Sequence, residues 1–143
     1  MIEDAVYTLL STNNAILNTV GERIRPLSAN QLDLRPFIVF NVNAGGDIVG
    51  DSAGPSLAGT NTYQRTTVEV VAYADSYADC IDLQKSIKTA CKVVGINDTA
   101  ANIRIASMVY SEETDIEQSV IPGTDETVYV RATTFRVLFR DLV

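Results

Sequence analysis

Apolar residues recur along this chain with two periods, and the alternation between the periods predicts its elements. Ile2, Ala5, Val6, Leu9 and Leu10 fall at three- and four-residue spacing, the mark of a helix with one apolar face. Ser11 to Asn14 interrupt it. Ala15, Ile16, Leu17 and Val20 predict a short second helical stretch, closed by Gly21 as a C-terminal glycine. Arg23 to Pro26 reads as a brief strand stopped by its proline. Phe37 to Ala44 is a clear strand, rich in β-branched and aromatic residues. Thr62 to Ala74 is a long one, with Val68, Val70 and Ala72 on one face and Thr67, Glu69, Val71 and Tyr73 on the other.

Ser76, with Asp79 three residues on, resembles a capping box. The helix it opens places Cys80, Leu83, Ile87, Ala90, Cys91 and Val94 within a stripe about 100° wide, and Gly95 is expected to end it. Ile81 breaks the pattern, on the opposite face among Lys85, Lys88 and Lys92. It is either a lone exposed isoleucine or a contact with a neighbouring subunit. Ile103 to Tyr110 predicts a third long strand and Thr127 to Arg140 a last one. In that last strand the apolar face changes from Val128 and Val130 to Phe135, Val137 and Phe139. A bulge or twist near Ala132 to Thr134 would produce this, as would two halves facing different partners.

Two segments lack periodicity and read as loops of about 17 and 16 residues, beyond the usual length for a small domain. Gly45 to Asn61 holds five glycines, a proline and two aspartates. Ser111 to Glu126 carries Glu112, Glu113, Asp115, Glu117, Asp125 and Glu126. Ile48, Val49, Asp51 and Leu57 in the first, Glu112, Glu113, Asp115, Ile116, Glu117, Val120 and Ile121 in the second, and Ile81, Lys85 and Lys88 on the helix are candidates for contact with another subunit or partner. Without a repeated βαβ pattern, the order predicts a single α+β domain over residues 1–143. It would hold an antiparallel or mixed sheet of about four main strands with two helices packed on one face.

Composition narrows the chemistry. Histidine is absent, which removes Ser-His-Asp and Cys-His sites and His-ligated metals. The formal charge of −7 opposes a protein that grips nucleic acid by its phosphates. No basic patch with interleaved aromatics shows in the sequence. The acids at Glu112 to Glu117 lack the spacing of a calcium loop, and Gly45 to Asp51 lacks the Lys-Ser/Thr ending of a phosphate loop. Nothing points to a metal or cofactor. Cys80 and Cys91, eleven residues apart on one expected helix, would lie roughly 16 Å apart, too far for a disulfide. They are expected as buried thiols. The acidic N-terminus and the lack of an apolar run of membrane-spanning length predict a chain made and kept in the cytoplasm, with no membrane partner.

Four short segments, in order, carry a resemblance. Val20-Gly21-Glu22-Arg23-Ile24-Arg25-Pro26-Leu27 is similar to a Val-Gly-x-Arg-Ile-x-Pro segment, and Leu34-Arg35-Pro36-Phe37-Ile38-Val39-Phe40 to a Leu-Pro-Tyr-Ile-Val-Tyr strand. Val68 to Ala74 with Ser76-Tyr77-Ala78 resembles a strand running into an Ala-rich helix, and Phe135 to Arg140 a closing strand. Together they resemble the tail-completion, or tail-terminator, proteins of long-tailed bacteriophages over about 120 residues.

The resemblance implies a virion protein without enzymatic activity or cofactor. Its subunits, usually six, form a ring that caps the tail tube, ends tail polymerisation and meets the head connector, while DNA passes through the lumen without specific binding. An acidic lumen would repel DNA; a lumen lined by Arg65, Arg104, Arg131 and Arg136 would contradict that. The alternatives are a tail-tube or head-side connector subunit and, from another class, a small cytoplasmic ligand-binding or carboxylate-based enzyme domain.

Overall fold

The structure, a computed structural model, describes residues 2–21, 23–26, 36–43, 48–49, 63–120 and 127–141; for 48–49, 113–120 and 127 it describes the backbone. Three helices, α1 (Ile2–Ser11), α2 (Asn14–Val20) and α3 (Tyr77–Ala90), accompany seven strands. The strands are β1 (Ile24–Pro26), β2 (Phe37–Val42), β3 (Ile48–Val49), β4 (Tyr63–Ala74), β5 (Val93–Asp98), β6 (Ile103–Val120) and β7 (Thr127–Asp141). They form one sheet in the order β1-β2-β4-β7-β6-β5, with β3 on β4. Only β1 and β2 run parallel, so the sheet is mixed and the fold is α+β.

Local chemistry sets the helix limits. The Asn13 side chain accepts the Ile16 N–H at 3.1 Å and opens α2. Gly21 closes α2 at a φ of 58°, a left-handed conformation that glycine adopts without steric cost. The Ser76 hydroxyl accepts the Asp79 N–H at 3.1 Å, the N-cap expected of it.

The helices share one core with alternate residues of the sheet. Val6, Leu10, Ile16 and Val20 pack with Cys80, Leu83 and Ile87 over Ile38, Phe40, Val68, Val70, Phe135, Val137 and Phe139. Phe40 and Phe135 are among the largest fully buried side chains, each contributing about 1.5–3 kcal/mol by burial. A buried polar pair crosses this core. The Gln84 amide donates to the Thr133 hydroxyl at 3.0 Å and ties α3 to the centre of β7.

The opposite face holds a smaller apolar cluster of Val71, Val128, Val130 and Ala132, with Tyr73 packed against it and stacked on Phe37 at 4.5 Å. That accounts for the change of apolar face along β7. The β4–β7 register runs unbroken from Gln64–Phe139 to Ala74–Tyr129, so no bulge lies between those two strands. One half of β7 supplies the helix-covered core and the other half the cluster beneath the sheet.

Several expectations need correction. Among the described residues the sheet has seven strands rather than about four, and the fold has three helices rather than two. Ser111 to Val120 is not loop but the second half of β6, paired with β7 as far as Val120–Thr127. Its backbone is satisfied by the β7 ladder, and charged residues are what edge strands commonly carry. The helix ends at Ala90 with Cys91 as its C-cap, not at Gly95. Gly95 lies inside β5 at a φ of 66°, and Val94, expected on the buried stripe, is 78% exposed on that edge strand. Both cysteines are free and buried, as expected. Among the described residues no helix is long and apolar enough to cross a membrane.

Candidate functional site

Three parts of the sheet gather the residues singled out from sequence. The first is a corner where α3 overlooks β6. The Cys80 thiol reaches the carbonyls of Ala72 and Tyr129 at 3.6 and 3.5 Å, which with Gln84–Thr133 fixes the rotation of the helix. Its flank toward β6 then carries Tyr77, Ile81 and Lys88. The Lys88 ammonium lies 4.6 Å from the centre of the Tyr110 ring. Tyr77 packs edge-on against Tyr129, and Arg131 donates to its hydroxyl at 3.5 Å. Ile81 is half-buried on this flank rather than standing free, and Lys85 is exposed.

Along β6, Glu112 is exposed and pairs with Thr134, Glu113 with Thr133, Asp115 with Arg131, Ile116 with Val130 and Val120 with Thr127. Glu117 falls in the irregularity between Ile116 and Ser119. β5 covers only Ile103 to Met108. From Val109 to Val120 the outer edge of β6 therefore has no strand beside it among the described residues. Lys88 of α3 and Tyr110 of β6, far apart in sequence, meet at this corner.

The second part is the opposite end of the sheet, where Ile48 pairs with Gln64 and Val49 with Tyr63. Along the register Ile116 aligns through Val130 with Tyr73, nine positions of β4 from Gln64, a separation of roughly 30 Å. The two apolar candidate groups therefore mark opposite ends. Asp51, Leu57 and Ile121 lie outside the described residues.

The third part was not legible as a patch in the sequence. Ile103, Ile105, Phe135, Val137, Phe139, Val68 and Val70 point into the helix-covered core. By strand alternation Arg65, Arg104, Arg136 and Arg140 point the other way, across three adjacent strands. Arg104 and Arg140 stand directly opposite each other in the register. The Arg140 Nε donates to the Tyr63 hydroxyl at 3.3 Å, and the Arg104 guanidinium donates to the Asn97 side-chain carbonyl at 2.8 Å. Hydrogen bonding by Arg140, and next by Arg104, holds the Tyr63 phenol below its ordinary pKa. Four of the chain's eleven cations thus share one face with an aromatic among them, a basic patch that the sequence did not show. Arg131, which with Arg65, Arg104 and Arg136 would contradict an acidic lumen if it lined one, sits on the helix-covered side beside Tyr77.

No family model matches the chain, and no curated protein sequence does. The fold has a solved counterpart. A chain from the virion of a native gene transfer agent particle superposes with a TM-score of 0.60 at 11% identity, over 94% of this chain and 91% of that one. The likeness is one of fold, and it runs nearly end to end through both chains.

Proposed function

We propose that this chain is a structural protein of a virion and, within it, the tail terminator. Its subunits form a ring, six by the family resemblance, that caps the tail tube, stops its polymerisation and joins the tail to the head connector. The protein works by assembling rather than by catalysis, without a cofactor, and resides at the tail or neck after assembly in the host cytoplasm. The observation that carries this reading is the end-to-end likeness of fold to a virion chain.

The surfaces are compatible with it. Closed rings are built from heterologous contacts, one patch against a different one. The two borders of this sheet differ: β1, with Arg25 and the preceding Arg23, on one side, and β5 followed by the uncovered half of β6 on the other. The β3 end and the far end of β6 offer separate surfaces to the tube and the connector.

Light scattering and negative-stain microscopy of the purified protein, alone and with tail tubes, test the proposal. Discrete rings seated on tube ends are expected. Long tubes made by the protein itself would identify a tube subunit instead, and a monomer indifferent to tube ends would refute the reading.

A further inference from the structure

The arginine face poses a physical problem that the described residues of one subunit do not solve. Like charges directly opposite on neighbouring strands destabilise a sheet, and Arg104 and Arg140 occupy such a pair. Among the described residues no carboxylate forms an ion pair with Arg65, Arg104, Arg136 or Arg140. Their polar contacts are the neutral Tyr63 hydroxyl, the Asn97 side chain and the Asp141 main-chain carbonyl. The face does hold acids. Glu69 and Glu112 both pair in register with Thr134, two positions along β7 from Arg136. They border the patch without neutralising it. Arg65 and Arg136 are exposed, so their guanidinium groups are open to a ligand.

Charge identifies that ligand. With the four arginines set aside, the remaining seven cations of the chain face eighteen carboxylates. A second copy therefore presents to this patch a surface of opposite sign, whereas a free polyanion approaching from solution meets a molecule of net charge −7. The most concentrated acids of that second copy are Glu112, Glu113, Asp115 and Glu117, on the part of β6 whose outer edge no described strand covers.

We infer that the arginine face receives the acidic half of β6 from a second copy of this chain, and that this contact joins neighbouring subunits. It rests on the ring reading and deepens it. The two patches are different, so the contact is heterologous, the kind that repeats around a ring. It also buries the arginines between subunits and withdraws them from the lumen, which leaves DNA to pass an acidic wall.

Charge exchange tests it on the full-length protein. The double variant Arg65→Glu and Arg136→Glu sets acid against acid; Glu112→Lys with Asp115→Lys sets base against base. Each alone should fail to form rings at concentrations roughly a hundredfold above those at which the unaltered protein assembles, with unchanged far-ultraviolet circular dichroism. Mixed in equal amounts, the two variants should restore rings of alternating subunits. Raising salt from about 0.05 M to about 0.5 M should weaken the unaltered ring. Rings that persist in either double variant would overturn the inference while leaving the ring reading intact, as would variants that fail singly and stay apart when mixed. Arginine variants that keep the ring but lose retention of double-stranded DNA would reassign the face to nucleic acid. Failure of the unaltered protein to form rings at either salt concentration would remove the ring reading itself.

Discussion

The two faces of the sheet are made by the same strands and obey different rules. On the helix-covered face Val68, Val70, Phe135 and Val137 are at most 1% exposed, and the one polar pair, Gln84–Thr133, is hydrogen-bonded to itself. Residues of the alternate register on the same strands, Arg65, Glu69 and Arg136, stand exposed on the other side. One register of alternate residues builds the helix-covered core, and the register one step away divides between the smaller buried cluster and exposed charges. Ionisation follows the same division. Burial pushes the Cys91 thiol up to about 12 on the covered side. Across the sheet hydrogen bonding by Arg140, and next by Arg104, pulls the half-buried Tyr63 phenol down.

Substitutions on the two faces should therefore diverge in proportion to burial. Phe135→Ala should cost about 3–5 kcal/mol in urea denaturation, since it opens a cavity beneath α3. Thr133→Val should cost about 1–3 kcal/mol, because the buried Gln84 amide loses its acceptor; adding Gln84→Met should recover part of that loss. Removing the Ser76 hydroxyl with Ser76→Ala should cost about 1 kcal/mol by loss of the α3 cap. Arg136→Gln should change subunit stability by no more than about 0.5 kcal/mol. A large loss there would mean that the open face also holds the fold together.

Alkali sharpens the contrast further. Cys91 has a folded pKa raised above its ordinary 9.0, so its contribution is full below pH 9 and is lost as pH rises toward 12. Tyr63 has a folded pKa lowered from 10.0, so its contribution is present above pH 10 and is lost as pH falls through the folded value. Cys91→Ala should flatten the alkaline loss of stability. Arg140→Gln should move the first tyrosine ionisation, read by ultraviolet absorbance, to higher pH, because it removes the leading cause of the Tyr63 shift.

The covered face was largely legible in the sequence, and the open face was not. The stripe of α3, the Ser76 cap and the alternation of Val68, Val70 and Ala72 are local patterns, and the structure has them where the pattern predicts. β5 was missed because its exposed Val94 extends the helical period by chance and Gly95 reads as a stop. The far half of β6 was missed because acids and hydroxyls have low intrinsic strand preference; pairing with β7 overrides it. The arginine patch draws on positions 65, 104, 136 and 140, which only strand order brings together. A partial signal existed. Arg104 sits between Ile103 and Ile105, and Arg136 between Phe135 and Val137, each an outward position in an alternating strand.

The central place of β7 has a consequence for synthesis. It is the last strand in sequence, yet it lies between β4 and β6, and its Phe139 pairs with Gln64, 75 positions earlier. Contacts of such long separation form late and slowly. On the ribosome, neither the arginine face nor the ladder that holds the acidic edge exists until β7 emerges. A chain that lacks β7 therefore has neither the closed core nor the full arginine face, because Phe135, Val137, Arg136 and Arg140 all lie on that strand.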